Sequence, residues 1–281
     1  MKESIKSMLF LLLIFAIHAD ADPKMLSDLY KTGKILLRPE LALDDQSMPR
    51  DVIFESPFDI EEDPRGNVYV LDYRANNIKI FSSKGKFINT IGRQGQGPGE
   101  FNGPSFLAVT KNRIYVWDFR NRRICALTHD GEFILSKGIP NTRERIQNIK
   151  PLPNGDVIVE KEITYYEDPD RPQECKIELY SADLEFKKMI YSKNIWRTRY
   201  ITKPRLRNIP QPYPPLVYWD VSPRGQIVLG YSEKYEIEIY DSQGTKISSF
   251  AQSYEPVKMA TADKDAFFKN IVSFSSDGQR K

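Results

Sequence analysis

Residues 66–91 read GNVYVLDYRANNIKIFSSKGKFINTI, and residues 112–137 read NRIYVWDFRNRRICALTHDGEFILSK. The two stretches align without a gap. Tyr69/Tyr115, Val70/Val116, Asp72/Asp118, Arg74/Arg120, Ile78/Ile124, Gly85/Gly131 and Phe87/Phe133 pair at one offset of 46 residues. Self-similarity at such a period marks a repeat architecture. A unit that carries only strand-like segments predicts an all-β chain of propeller blades.

A third copy is split. Residues 149–161 (IKPLPNGDVIVEK) match the first half of the unit and 176–190 (KIELYSADLEFKKMI) the second, with ITYYEDPDRPQEC between them. A fourth begins at Tyr218, where Gly225, Ile227, Ile237, Ile239, Tyr240 and Gly244 match the first copy at an offset of 159. Each unit reads as four strands joined by three turns. The first turn is a Pro-x-Gly cluster (Pro64 to Gly66, Pro153 to Gly155, Pro223 to Gly225), with Asn112 in the glycine place of the second copy. Asn also tolerates a left-handed backbone. The last turn, at Gly85, Gly131 and Gly244, is a tight hairpin. Leu184 stands there in the third copy, so that hairpin is expected to turn differently. Strands such as Val68 to Leu71 are apolar on both faces, as stacked blades require.

The chain opens with a secretory layout. Lys2 and Lys6 precede an apolar run from Met8 to Ile17, and Ala19-Asp20-Ala21 forms a cleavage site before Asp22. The run is short for a bilayer span; an uncleaved anchor is the alternative reading. No cysteine stands at the cleavage point to carry a lipid. Residues 1–21 are read as a signal peptide, 22–50 as an N-terminal segment whose strand-like Lys34 to Leu43 could complete a blade, and 51–281 as the propeller. Blades are placed at about 51–97, 98–145, 146–192 and 216–252, with inserts at 162–174 and 193–215 and a short helix at about 262–272, opened by Thr261 and Asp263. The mature chain, with no transmembrane segment, is expected to be periplasmic or secreted. Lys2 and Lys6 offset Glu3 and Asp20, so the net charge stays at +3. That is too small to imply nucleic acid.

The pattern P-x-x-I/L, G-N-V-Y-V-x-D, N-x-I-x-x-F, G-K-F and then I-G-R-Q-G-Q-G-P-G-E-F over Phe54 to about Phe106 resembles the NHL repeat. More closely, it resembles exported bacterial six-bladed β-propellers, a largely uncharacterised group. The resemblance implies four-stranded blades around a central channel, six being the usual number. Four units are legible here, and the ending Phe274 to Gly278 looks cut off, so an incomplete propeller is expected.

In a propeller, second-to-third strand loops and blade-to-blade connections emerge on one face. The inserts fall there, and inserts collected on one face of a repeat protein mark its binding side. That face is rich in arginine and aromatic residues. The candidate binding residues are Arg74, Arg93, Arg120, Arg122, Arg123, Arg197, Arg199, Arg205, Arg207, Trp196 and Tyr166. Guanidinium forks recognise carboxylate and phosphate at two points. The partner implied is a protein or an anionic glycan or small molecule. The competing reading is ordinary solvated loops.

Catalytic constellations are sparse. After cleavage the only histidine is His129, placed at a hairpin, which argues against Ser/His/Asp chemistry and a multi-histidine zinc site. Gly95-x-Gly97-x-Gly99 lacks the G-K-[ST] and following helix of a phosphate loop. Asp59 to Asp63 and Asp168-Pro-Asp170 have oxygen ligands without a calcium-loop spacing. Asp72 and Asp118 end strands and read as turn-closing carboxylates. Cys125 and Cys175, the only cysteines, read as separate buried thiols. No cofactor, metal site or catalytic residue is assigned. The resulting expectation is a binding or scaffold propeller; the alternative is a metal-assisted hydrolase or lyase of the NHL/lactonase-like type.

Overall fold

In the computed structural model, residues 49, 52–168, 171–196, 198–201, 207–210, 214–253, 255, 260–263 and 265 are described. The signal peptide, the Lys34 to Leu43 strand and most of the 262–272 helix lie outside them; residues 261–263 and 265 are helical. Among the described residues no helix is long and apolar enough to cross a membrane.

The described residues fold as four four-stranded antiparallel sheets, each in simple sequential order. Blade 1 is β1 (Pro57–Glu62), β2 (Val68–Asp72), β3 (Asn77–Phe81) and β4 (Phe87–Ile91). Blade 2 is β5 (Pro104–Val109), β6 (Ile114–Asp118), β7 (Arg123–Leu127) and β8 (Phe133–Gly138). Blade 3 is β9 (Glu144–Pro151), β10 (Val157–Ile163), β11 (Gln173–Tyr180) and β12 (Phe186–Ile195). A separate hairpin follows, β13 (Thr198–Ile201) and β14 (Arg207–Pro210), in the stretch read only as a connection. Blade 4 is β15 (Val217–Val221), β16 (Ile227–Tyr231), β17 (Glu236–Tyr240) and β18 (Lys246–Ala251).

Stacking of blades makes the core. One cluster, with Tyr69, Leu71 and Ile78 against Leu107, Val116 and Leu127, joins blades 1 and 2. A second sets Tyr115, Trp117 and Ala126 against Ile149, Val159 and Leu184, joining blades 2 and 3. A third sets Ile158, Ile177 and Leu179 against Trp219, Ile227 and Leu229, joining blades 3 and 4. Middle strands are thus apolar on both faces: β6 is buried along its whole length.

The repeat continues into the hydrogen bonds. Asp72 Oδ1 accepts the Ser56 amide at 2.9 Å, and 46 residues on Asp118 Oδ1 accepts the Asn102 amide at 2.7 Å. Asp72 also accepts the Glu55 amide and the buried Lys79 ammonium, the latter at 3.0 Å. Asp118 accepts from Asn121 and Arg123. Each carboxylate fastens the end of a second strand to the connection that enters its own blade, a structural duty.

Two turns differ from the sequence reading. The first turn of blade 2 is one residue shorter than that of blade 1: Thr110 N bonds to Arg113 O, where Asp63 N bonds to Asn67 O. The Thr110 hydroxyl accepts the Asn112 and Arg113 amides, and Asn112 is not left-handed, unlike Gly66 at φ 83°. Dropping the residue removes the need for a left-handed position. Conversely, Leu184 does not change its hairpin. It takes φ 59°, and Leu184 N bonds to Ser181 O as Gly85 N does to Ser82 O. A left-handed leucine costs about 1–2 kcal/mol. Its side chain is only 1% exposed between blades 2 and 3, and that burial offsets the strain.

Candidate functional site

Second-to-third strand loops and blade connections share one face, and in blades 1 and 2 the position that ends this loop clamps the next connection. Asn76 and Arg122, 46 residues apart, both sit at φ 53°. Asn76 Oδ1 accepts the Gly103 amide at 2.7 Å, holding the connection from blade 1 to blade 2. Arg122 donates to the carbonyls of Ile139, Asn141 and Glu144, holding the connection from blade 2 to blade 3. Arg123 donates to the Gly97 and Glu100 carbonyls and to Asp118. The guanidiniums of Arg122 and Arg123 are therefore engaged within the fold.

The glycine-rich connection is built around its own carboxylate. Glu100 Oε2 accepts the Gly97 amide at 2.9 Å, and Oε1 pairs with Arg93 at 2.8 Å. Those donors hold the Glu100 carboxyl below its ordinary value. A Cβ on Gly95 would stand 2.0 Å from Glu100 Oε2, and one on Gly92 would strike the buried Phe101 ring. The glycines thus make room for Glu100 and Phe101.

Arg74 and Arg120 differ from these. Both are exposed, and Arg74 has no side-chain bond or ion pair among the described residues. The single Arg120 bond, to Asn102 Oδ1, is stretched to 3.5 Å. Beside them lies an aromatic cluster: the Phe58 ring is 5.9 Å from Tyr73 and 5.9 Å, edge-on, from Phe106. Tyr73 and the Arg120 stem both lie beside Gly103, where a Cβ would meet them at 3.4–3.5 Å, ordinary contact distance. Phe58 is 50% exposed. The structure therefore brings the Arg120 stem beside Tyr73 of the aromatic patch, leaves Arg74 exposed next to Tyr73 in the chain, and pairs Arg93 with Glu100.

The remaining candidates are dispersed. Trp196 follows directly after β12 and is 41% exposed. Tyr166 lies in the loop after β10 and is half-buried. Arg199 pairs in register with Ile209, and Arg207 with Ile201, in the β13–β14 hairpin. Arg197 and Arg205 lie outside the described residues. The sequence reading missed Arg143, Arg145 and Arg171. Arg145 lies over the Phe119 ring at 5.9 Å, and Arg171 over Tyr165 at 3.4 Å, with Tyr165 OH donating to Glu174 at 2.6 Å. Their signal was available for Arg143 and Arg145, which lie at the blade 2–3 connection.

Below the patch, the innermost strands β1, β5, β9 and β15 line a cavity of about 1190 Å³, with Phe58 and Phe106 in its wall. Its polar band comprises Asp59, Glu61, Asn148, Lys150 and Asp220. Glu61 Oε1 lies 3.2 Å from Lys150 Nζ, linking blade 1 to blade 3. Burial pushes the Glu61 carboxyl up to about 7, against the pull of Lys150 and with the help of Asp59 and Asp220. Burial also raises Asp59, although its carboxylate accepts the Leu107 amide at 2.9 Å. Burial would lower Lys150, but Glu61, Asp220 and Asp59 outweigh it and hold the ammonium above its ordinary value. Among the described residues no cluster of three or more His, Cys, Asp or Glu has the arrangement of a metal site.

On the opposite face, His129 Nδ1 meets Tyr69 OH at 2.5 Å and Nε2 meets Thr110 O at 3.0 Å. These contacts tie the last hairpin of blade 2 to both first turns. Cys125 and Cys175 are not joined in a disulfide and are buried in different blade interfaces.

A family model described as 6-bladed beta-propeller matches residues 51–202. No curated protein matches the chain. Among solved structures, a Bacteroides fragilis protein described as exported is 14% identical, with 73% of each chain covered and a TM-score of 0.40. A protein of unknown function from Bacteroides caccae is 16% identical over 66% of this chain and 58% of its own, with a TM-score of 0.37. Virginiamycin B lyase from Staphylococcus aureus is 14% identical over 70% of each chain, with a TM-score of 0.37. Identities and scores this low carry no argument about activity.

Proposed function

The chain belongs to the six-bladed β-propeller family whose model it matches over residues 51–202, and we propose that it is an exported binding protein that holds an anionic partner on its insert-bearing face. The signal-peptide layout of residues 1–21 supports export. The observation that carries the binding reading is the Phe58–Tyr73–Phe106 cluster, with the Arg120 stem beside Tyr73 and the exposed Arg74 next to Tyr73 in the chain. Arg93, Arg122, Arg123, Arg143, Arg145 and Arg171 on this face engage carbonyls, carboxylates or rings; Arg74 and Arg120 keep their forks for a ligand. Aromatic faces pack against the apolar side of a sugar or peptide, and guanidiniums take its carboxylates. An acidic glycan fits both demands. Polygalacturonate, compared with neutral dextran in an equilibrium binding assay, tests the reading. Retention of polygalacturonate alone, weakening as salt rises, is expected; equal binding or none of either would overturn it.

A further inference from the structure

The cavity between the inner strands carries an arrangement that ligand binding on the outer face does not require. Glu61 on β1 and Lys150 on β9 meet at 3.2 Å although 89 residues and an intervening blade separate them. Asp220 on β15 and Asp59 on β1 act on both. Three carboxylates from blades 1 and 4 thus face one ammonium from blade 3. The other charged groups of the lining sit toward the first turns: Glu62 at the end of β1, Lys111 after β5, and Asp63, whose carboxylate is spent on the Asn67 and Arg65 amides. Blades 1 and 4 share none of the apolar clusters. Among the described residues, the bond that joins β1 of blade 1 to β9 of blade 3 is the Glu61–Lys150 pair, whereas blades 3 and 4 also share an apolar cluster.

Such a cluster is short of positive charge. Three carboxylates around one ammonium favour keeping a proton on one of them, and the partly exposed Glu61 side chain, 18% accessible on the cavity wall, can exchange it with water. We infer that the channel is held by a proton-linked tie: Glu61 takes up a proton as the inner strands close around Lys150 and loses it when they loosen. The sign follows from linkage. The closed arrangement binds the proton more tightly than a loosened one with Glu61 in water, so acidification tightens the channel and alkaline pH loosens it. The burial that pushes Glu61 to about 7 puts the change near neutrality. Asp59 shifts in the same sense.

The test is amide hydrogen exchange in β1 and β9 of the full chain at about pH 6 and about pH 8, corrected for intrinsic exchange. For one proton on a group moved from its ordinary value to about 7, the opening constant should rise about tenfold between those conditions. Glu61→Gln, which mimics the protonated side chain, should remain at the protected level at both. Asp220→Asn, which removes a repelling charge, should move the transition to lower pH, and it serves as the test if Glu61→Gln does not fold. A wild-type protein with no pH dependence in these strands, or a Glu61→Gln protein with the wild-type dependence, would overturn the inference. Polygalacturonate binding is a separate readout, so loss of one reading leaves the other standing.

Discussion

Asp118 Oδ1 accepts the backbone amide of Asn102 at 2.7 Å, so the end of β6 holds the connection that feeds its own blade. The carboxylate is fully buried and also accepts from Asn121 and Arg123. Replacing it with alanine would orphan the Asn102 amide and strip one bond each from Asn121 and Arg123, which keep theirs to the Gly95, Gly97 and Glu100 carbonyls. Asp118→Ala should cost about 3 kcal/mol in denaturant unfolding. A loss below about 1 kcal/mol, the scale of a surface substitution, would show that water replaces the bonds.

Leu184 sets strain against burial. Leu184→Gly relieves the left-handed backbone, a gain of about 1 kcal/mol. It also deletes a side chain packed between blades 2 and 3, a loss of about 3 kcal/mol. The variant should therefore be less stable by about 2 kcal/mol, measured by the same melt. A stabilised variant would mean that strain outweighs packing there.

Gly95 leaves room for the Glu100 carboxylate. Gly95→Ala must push Glu100 off the Gly97 amide and off Arg93. Destabilisation of about 1–3 kcal/mol is expected, with faster exchange at the Gly97 amide. An unchanged Gly97 amide would show that the connection adapts instead.

Stability should peak on the mildly acid side. The Asp63 carboxyl is lowered, because bonds from Asn67 and Arg65 outweigh its burial; its contribution is present above the ordinary carboxylate range and lost as pH falls through the folded value. Glu61 works the other way. Its folded value is raised to about 7, so its contribution is complete below the ordinary range and lost as pH rises through about 7. Thermal midpoints should be highest near about pH 5 and fall toward both sides. A maximum near pH 8 would contradict these signs.

Burial pushes the Cys125 thiol up to about 12. Thiolate is the reactive form, and Cys175 is buried as well. Thiol titration of the folded protein should show almost no fast reaction, and denaturation should release two thiols. Fast reaction at native conditions would place one of them at the surface.

Much of this was legible because the chain repeats. Offset pairs located the strands of blades 1 and 2, and Asp72 and Asp118 could be read as turn-closing residues from their places at strand ends. Repetition also misled. Asn112 was matched to Gly66 across a turn that is one residue shorter, and Leu184 was expected to break a turn that it adopts. In the Glu160–Lys161–Glu162 run all three charged residues are buried, with Trp219 donating to Glu160 and Lys161 paired with Glu178. Local patterns cannot show this, since the partners come from other strands. The same holds for Glu61 and Lys150. Among the arginines, sequence identifies the face, but only the carbonyl partners of Arg122 and Arg123 separate those that build it from Arg74 and Arg120.

The most direct test of the binding account is a salt titration of polygalacturonate affinity in three proteins: wild type, Arg74→Ala/Arg120→Ala, and Arg65→Ala/Arg224→Ala. The last pair removes the same charge from first turns on the opposite face. The account predicts a loss of about tenfold or more for the first double variant at low salt, and near wild-type affinity for the second. Equal losses in both would reduce the attraction to net charge and contradict a site at the Phe58–Tyr73–Phe106 patch.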